Sequence, residues 1–379
     1  MSNIYIMNRI QETYLELLKA AIWNSKELTS EGVRELGSEG VNELLRLAAF
    51  QGTGPLVFDQ LLKLKDVEIP DALRMQMKQQ CMMSMMQQNT MMPILRKAWT
   101  ALVQADIHPV LLKGFALAQY YPQPYLRQWG DIDIYVGQKN YHKGCEVLRG
   151  VFPEATHPEE ENEDFKHFNF EFGNTMLEMH RISMEFAHPK DRRYYELLEE
   201  QCLTKDGPSF EADGLSITTP EDTFNVFFVL LHAWHHFEGT GMNIKQLCDV
   251  AVLLHAKRDV IDRVRLKEML TKLHMMEVWQ LIMYIMAHYF EVPQEECPFF
   301  TEGCRQRVEM LFERILVEGS SRARTHVDIK GVSYMKRKWL TWKMRLDGAR
   351  IVRPCAPSIA RHMVWSAVVH GIERTIRQK

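Results

Sequence analysis

Residues 127–136 read RQWGDIDIYV, and they place two aspartates inside a segment that otherwise has the alternation of a buried strand. With a period of two, Asp131, Asp133 and Tyr135 fall on one side and Ile132, Ile134 and Val136 on the other. The apolar side must pack against something, so this strand belongs to a sheet with at least one covered face. The other side holds two carboxylates a few ångströms apart. Like charges that close resist joint ionisation unless a cation sits between them, and a hard divalent ion with oxygen ligands is the natural candidate. A solvated strand face is the bland alternative.

The surrounding chain has 379 residues, enough for two or three domains and a sizeable core. Residues 1–105 form an N-terminal helical region. VNELLRLAAF, LVFDQLLKL and ILRKAWTALVQA space their apolar residues by three and four, with QGTGP as a turn between the first two. That turn lacks the rest of a dinucleotide fingerprint. The methionine-rich RMQMKQQCMMSMMQQNTMM reads as a packed or partly exposed helix ahead of a copper or partner site.

From 106 to 218 the pattern changes to that of a small mixed α/β domain. HPVLLKG gives a short strand, FALAQYY a helix, IDIYV a strand and YHKGCEVLRGVF a helix. The acidic THPEEENEDF is a loop, and HFNFEFG and TMLEMHRIS are antiparallel strands joined at Gly173-Asn174. Residues 219–379 return to helix, with Thr219 expected as the N-cap, Pro220 at the first position and Asp222 at the third. The expected fold class is α+β: a small mixed-sheet domain flanked by N- and C-terminal helical regions.

Composition excludes other classes. With 46% hydrophobic and 25% charged residues the chain is neither disordered nor fibrous. Seven scattered cysteines without a C-x-x-C argue against a disulfide framework or zinc knuckle, so a reducing cytoplasm is expected. The first residues lack the pattern of a signal peptide, and no apolar run approaches a transmembrane span. The net charge of −3 hides an asymmetry: residues 321–379 hold 14 Lys+Arg against 3 Asp+Glu. KRKWLTWKMRL within it mixes cations with Trp339 and Trp342, as an interfacial helix at a membrane periphery or an anion-binding groove would. A basic face solvated against the acidic remainder is the alternative.

The chemistry concentrates around the aspartates. A helix starting after Gly114 would offer free backbone N–H groups to a phosphate. Lys113 adds a cation, and the fork of Arg127 can grip a phosphate or orient a carboxylate. Glu178 in TMLEMH shares a strand face with His180, so a strand lying beside the aspartates would bring a third acid to them. Three carboxylates could hold two Mg²⁺ ions that activate a hydroxyl and clamp a nucleotide's phosphates.

LLKGFALAQYYPQPYLRQWGDIDIYV followed by LEMHR closely resembles the nucleotidyltransferases of the DNA polymerase beta-like superfamily. More narrowly, it is similar to a bacterial nucleotidyltransferase family with a Lys-Gly first motif, an Arg before Gly-Asp-Ile-Asp, an acid-x-His strand and a helix with paired histidines followed by an aspartate. The resemblance covers about residues 40–270. It implies metal binding and catalysis by Asp131, Asp133 and Glu178. It also implies nucleotide contacts from Lys113, Gly114, Arg127, Gly130, His180, His232, His236 and Asp249. Many superfamily members have Gly-Ser where this chain has Gly114-Phe115, so the grip on triphosphate must differ here.

The i, i+4 pair His232 and His236, with His235 beside it, also suits zinc, but Ala233 stands where a metalloprotease needs glutamate. The histidines are therefore expected to line the cleft, to tie their helix to Asp249, or simply to fill the core. The expected activity is Mg²⁺-dependent transfer of a nucleoside monophosphate from a nucleoside triphosphate (NTP) to a hydroxyl, releasing pyrophosphate. The acceptor is left open among small molecule, glycan, lipid and RNA. A toxin-type enzyme acting on tRNA and a noncatalytic nucleotide-binding scaffold are the alternatives.

Overall fold

The computed structural model describes residues 7–24, 30–156, 166–320 and 334–377. Four helices come first: α1 (Arg9–Trp23), α2 (Glu31–Phe50), α3 (Gly54–Lys63) and α4 (Asp71–Gln104). Asn8 and Gln11 cap α1 reciprocally, each side chain bonding the other's backbone N–H. The QGTGP turn is a joint between distant parts of the chain. Gln51 donates to the carbonyls of Ile315 and Leu316 at 2.9 Å and accepts from the N–H of Ile244 at 2.8 Å. Such a fully bonded buried amide fixes the turn in place.

Helix α4 serves two cores. Met77 joins the core formed by the other helices, whereas Met91, Leu95, Ala98 and Leu102 pack with the sheet. Met75, Met82, Met83 and Met86 are exposed, so the methionine-rich stretch is a partly exposed helix.

Next come β1 (Val110–Leu111), α5 (Gly114–Ala118), β2 (Asp131–Tyr135), α6 (Gly137–Val151), β3 (His167–Phe172) and β4 (Thr175–His180). The strand order is β1-β2-β4-β3, with β2 and β4 parallel and both outer strands antiparallel to their neighbours. The apolar sides of the strands line up: Leu111, Ile132, Ile134, Phe168, Phe170, Leu177 and Met179 bury themselves with residues of α4 and α6. That one-sided covering leaves the opposite face for the acids. Helix α5 is shorter than FALAQYY suggests. The chain turns away after Ala118 toward Pro122 and Pro124, whose rings disfavour helical backbone in the residues before them. The loop expected at 156–165 lies almost wholly outside the described residues.

The remainder runs α7 (Pro189–Cys202), the hairpin β5 (Ser209–Ala212) and β6 (Leu215–Thr218), then α8 (Asp222–Gly239), α9 (Ile244–Lys257), α10 (Arg263–Lys272), α11 (Met276–Tyr289), α12 (Arg305–Glu318), α13 (Tyr334–Val352) and α14 (Pro357–Arg377). The architecture is α+β, a small mixed sheet flanked by helices. The N-cap of α8 is Glu221, two residues beyond the expected Thr219; its carboxylate accepts from the N–H groups of Thr223 and Phe224. Thr219 is engaged elsewhere, bonding Pro208 O through both its N–H and its hydroxyl. One continuous core joins α1–α3 to α8–α12. All seven cysteines are free. Among the described residues no helix is long and apolar enough to cross a membrane. Of the basic tail, 321–333 lies outside the described residues, and Trp339 and Trp342 are exposed on α13.

Glu199 on α7 is 2% exposed and accepts hydrogen bonds from the N–H and hydroxyl of Ser183. Burial, only partly opposed by those bonds, pushes its carboxyl up to about 7. The folded state therefore holds a proton that the unfolded chain releases above its ordinary pKa of 4.5. Stability from this group is full below pH 4.5, falls as pH rises toward 7 and is flat above, a loss of about 3 kcal/mol. Glu199→Gln should remove that decline, matching the parent near pH 5 and exceeding it near pH 8 in urea unfolding.

Candidate active site

The parallel pairing of β2 with β4 sets Asp133 directly opposite Glu178. Asp131, two residues earlier, shares the face. Carboxylate oxygens of Asp131, Asp133 and Glu178 all lie within 4.8 Å of one another. Their mutual repulsion is legible at Asp131, whose carboxyl is pushed up to about 6, first by the charge of Asp133 and then by burial.

Asp133 is the buried member, 1% exposed. Its Oδ1 accepts from Lys113 Nζ at 2.9 Å and from His180 Nε2 at 2.9 Å. Burial alone would raise this carboxyl, but Lys113 and His180 together hold it far below the usual range. Its second oxygen, Oδ2, is buried and has no hydrogen-bond partner among the described residues. His180 Nε2 also lies 3.3 Å from Glu178 Oε2, which His167 Nδ1 approaches at 3.8 Å. Burial pushes Glu178 up, yet its bond to His180 helps pull it below the ordinary value, so it is ionised at neutral pH.

Lys113 reaches this position from a constrained backbone. It has φ 38° and ψ −152°, in the left-handed half of the map where a side chain is disfavoured, and Gly114 follows at φ 47°. A Cβ on Gly114 would stand 3.3 Å from Asp131 O. The turn thus brings β1's exit against β2 and aims the lysine at the acids. Burial lowers the Lys113 ammonium, but Asp133, Asp131 and Glu178 outweigh it and keep it charged. The same ammonium lies 3.1 Å from His232 Nε2 on α8. Burial and that positive neighbour hold His232 well below its usual pKa, leaving a neutral ring that accepts from the lysine. The ring of His236 stands edge-on to it at 4.6 Å.

Arg127 and Asp249 form a second buried pair. The guanidinium donates from Nε to Oδ1 at 3.0 Å and from Nη2 to Oδ2 at 2.5 Å, and Tyr121 adds its hydroxyl to Oδ1 at 2.7 Å. Of the two roles open to Arg127, the one its fork performs is to orient a carboxylate. Asp249 is thus held by Arg127 and Tyr121. Gly130 is exposed, and a Cβ there would meet nothing within 4 Å, so packing does not demand glycine at this position. Helix α5, with five residues, offers a phosphate little of the dipole expected beyond Gly114.

Two cations at the site escaped sequence reasoning. Lys245, at the start of α9, is depressed by burial and by Arg127 while Asp249 and Asp131 pull the other way. Lys166, just before β3, is depressed by burial and Lys113 while Asp133 and Glu178 oppose. The signal for Lys245 was its four-residue spacing from Asp249, which puts both on one helical face. Nothing local marks Lys166.

A family model described as "Uncharacterised nucleotidyltransferase" matches residues 37–291. No curated protein and no solved structure matches the chain.

The Arg127–Asp249 pair has a measurable consequence. Asp249→Ala strands a buried guanidinium and should cost about 3–5 kcal/mol in urea unfolding. The double change Arg127→Met with Asp249→Leu should recover most of that loss, because no unpaired charge remains.

Proposed function

Because the chain belongs to the uncharacterised nucleotidyltransferase family, we propose that it transfers a nucleoside monophosphate from an NTP to an acceptor hydroxyl, with Mg²⁺ held by Asp131, Asp133 and Glu178. The observation that carries this reading is the buried, unpartnered Oδ2 of Asp133. Its sister oxygen accepts from both Lys113 and His180, so one oxygen is saturated while the other meets no donor among the described residues. An oxygen in that state, on a carboxylate that comes within 4.8 Å of two more, fits a hard cation. Bound there, the ion would neutralise charge developing on the transferred phosphoryl group.

The chain's own residues supply the remainder. Lys113 and His180 fix the rotamer of Asp133 and keep it ionised. Lys245 and Lys166 supply positive charge toward the triphosphate, a task that falls to them since Phe115 stands where a serine would. Glu178, ionised at neutral pH, takes the proton of the acceptor hydroxyl as its oxygen bonds to the α-phosphorus and the bond to pyrophosphate breaks. Arg127 and Asp249 act at one remove, locking the loop before β2 onto α9.

Incubation with labelled NTPs, Mg²⁺ and a cell extract tests the proposal. Label transfer with pyrophosphate release is expected, reduced at least about 100-fold by Asp131→Asn or Asp133→Asn. Turnover unchanged by both substitutions would defeat it, and nucleotide binding with no product would identify a scaffold. Lys245→Ala should act mainly on KM for the NTP, raising it about tenfold with kcat less affected, as expected for lost ground-state binding.

A further inference from the structure

A second group of metal-ligating side chains lies at a cavity of about 840 Å³ bounded partly by α7, α8 and α14. His188 is the N-cap of α7, and Asp191 follows one turn later at the helix's third position. His274 sits in the turn between α10 and α11 at φ 60°, and His362 comes from α14. His188, Asp191 and His362 line the cavity wall.

The distances are short. One ligand atom each from Asp191, His274 and His362 fall within 4.8 Å of one another. His362 Nε2 is 2.6 Å from Asp191 Oδ2, and His188 Nδ1 is 3.5 Å from Asp191 Oδ1. The rings of His274 and His362 are 4.0 Å apart at their centroids, and those of His188 and His362 are 5.7 Å apart. His188 Nδ1 is buried and makes no hydrogen bond among the described residues. Three imidazoles therefore crowd one carboxylate, of which only His362 is hydrogen-bonded to it. Protonating all three would set like charges against each other, and leaving them neutral leaves the buried His188 Nδ1 without a hydrogen-bond partner among the described residues. A cation that accepts from the nitrogens and the carboxylate resolves both conflicts.

We propose that Asp191, His274 and His362, with His188 as the fourth ligand, form a Zn²⁺-type site that fastens α14 to α7 and to the α10–α11 turn. The donor set decides the ion's class. Imidazole nitrogens with one carboxylate suit a borderline ion in tetrahedral geometry, whereas Mg²⁺ prefers oxygen alone. Metal–ligand bonds of about 2.0–2.1 Å put tetrahedral ligand atoms about 3.3 Å apart. The contact between His362 and Asp191 need open by less than about 1 Å to admit the ion. This site uses none of the carboxylates at the sheet edge, and it differs from the histidine pair on α8, where His232 is engaged by Lys113.

The full chain, stripped with a chelator and then kept in excess Mg²⁺, can be titrated with Zn²⁺ against a chromophoric competitor. One equivalent should bind and raise Tm. His274→Gln should weaken it by about 100-fold, and Asp131→Asn should leave it in place. His274 is exposed, so this variant does not endanger folding. Co²⁺ in place of Zn²⁺ should give a tetrahedral visible band without thiolate charge transfer. Failure to bind a stoichiometric ion, an ion retained by His274→Gln, or a thiolate signature would each overturn the assignment.

Discussion

The carboxylate of Asp133 governs the site. A charge buried to 1% exposure is tolerable only if the fold delivers partners to it, and here they come from three directions. Lys113 arrives from the end of β1, His180 from the end of β4, and His232 steadies the lysine from α8. The strained backbone of Lys113 makes sense on these terms. Without it the ammonium could not turn back over β2, and the burial of Asp133 would lose its main compensation.

The same logic repeats at Arg127 and Asp249, 5% and 3% exposed. The two pairs divide the work. Lys113 with Asp133 holds the acidic cluster together across one sheet, whereas Arg127 with Asp249 connects the loop before β2 to the helical region. Lys245 lies on the Asp249 face of α9, so the joint also delivers a cation toward Asp131. Behind it, Gln51 stitches α9 and α12 to the turn between α2 and α3. The helices flanking the sheet are thus parts of the site's scaffold, sharing one core across 200 residues of sequence or more.

What could be read in advance follows the range of the interactions. Strand alternation is local, and it placed Asp131, Asp133, Glu178 and His180 on faces that the sheet then brought together. The hairpin at Gly173-Asn174 is likewise local. Errors arose where a distant partner outbid a nearby one. Thr219 carries every mark of an N-cap, yet Pro208 claims it and Glu221 takes over. The length of α5 depended on prolines four and six residues beyond its end, and which of the two roles left open for Arg127 its fork takes depended on an aspartate 122 positions later.

The sequence by itself determined the kinds of element, the acidic face of β2 and the companion acid on β4, because periodicity of two or 3.6 is a property of the backbone. It did not determine that β2 and β4 are parallel neighbours with Asp133 opposite Glu178, since strand order is set by which apolar faces bury together. Nor could it assign partners to the buried charges or gather His188, His274 and His362 around Asp191. Those are contacts between segments far apart in the chain, and only the packing of whole layers brings them within reach.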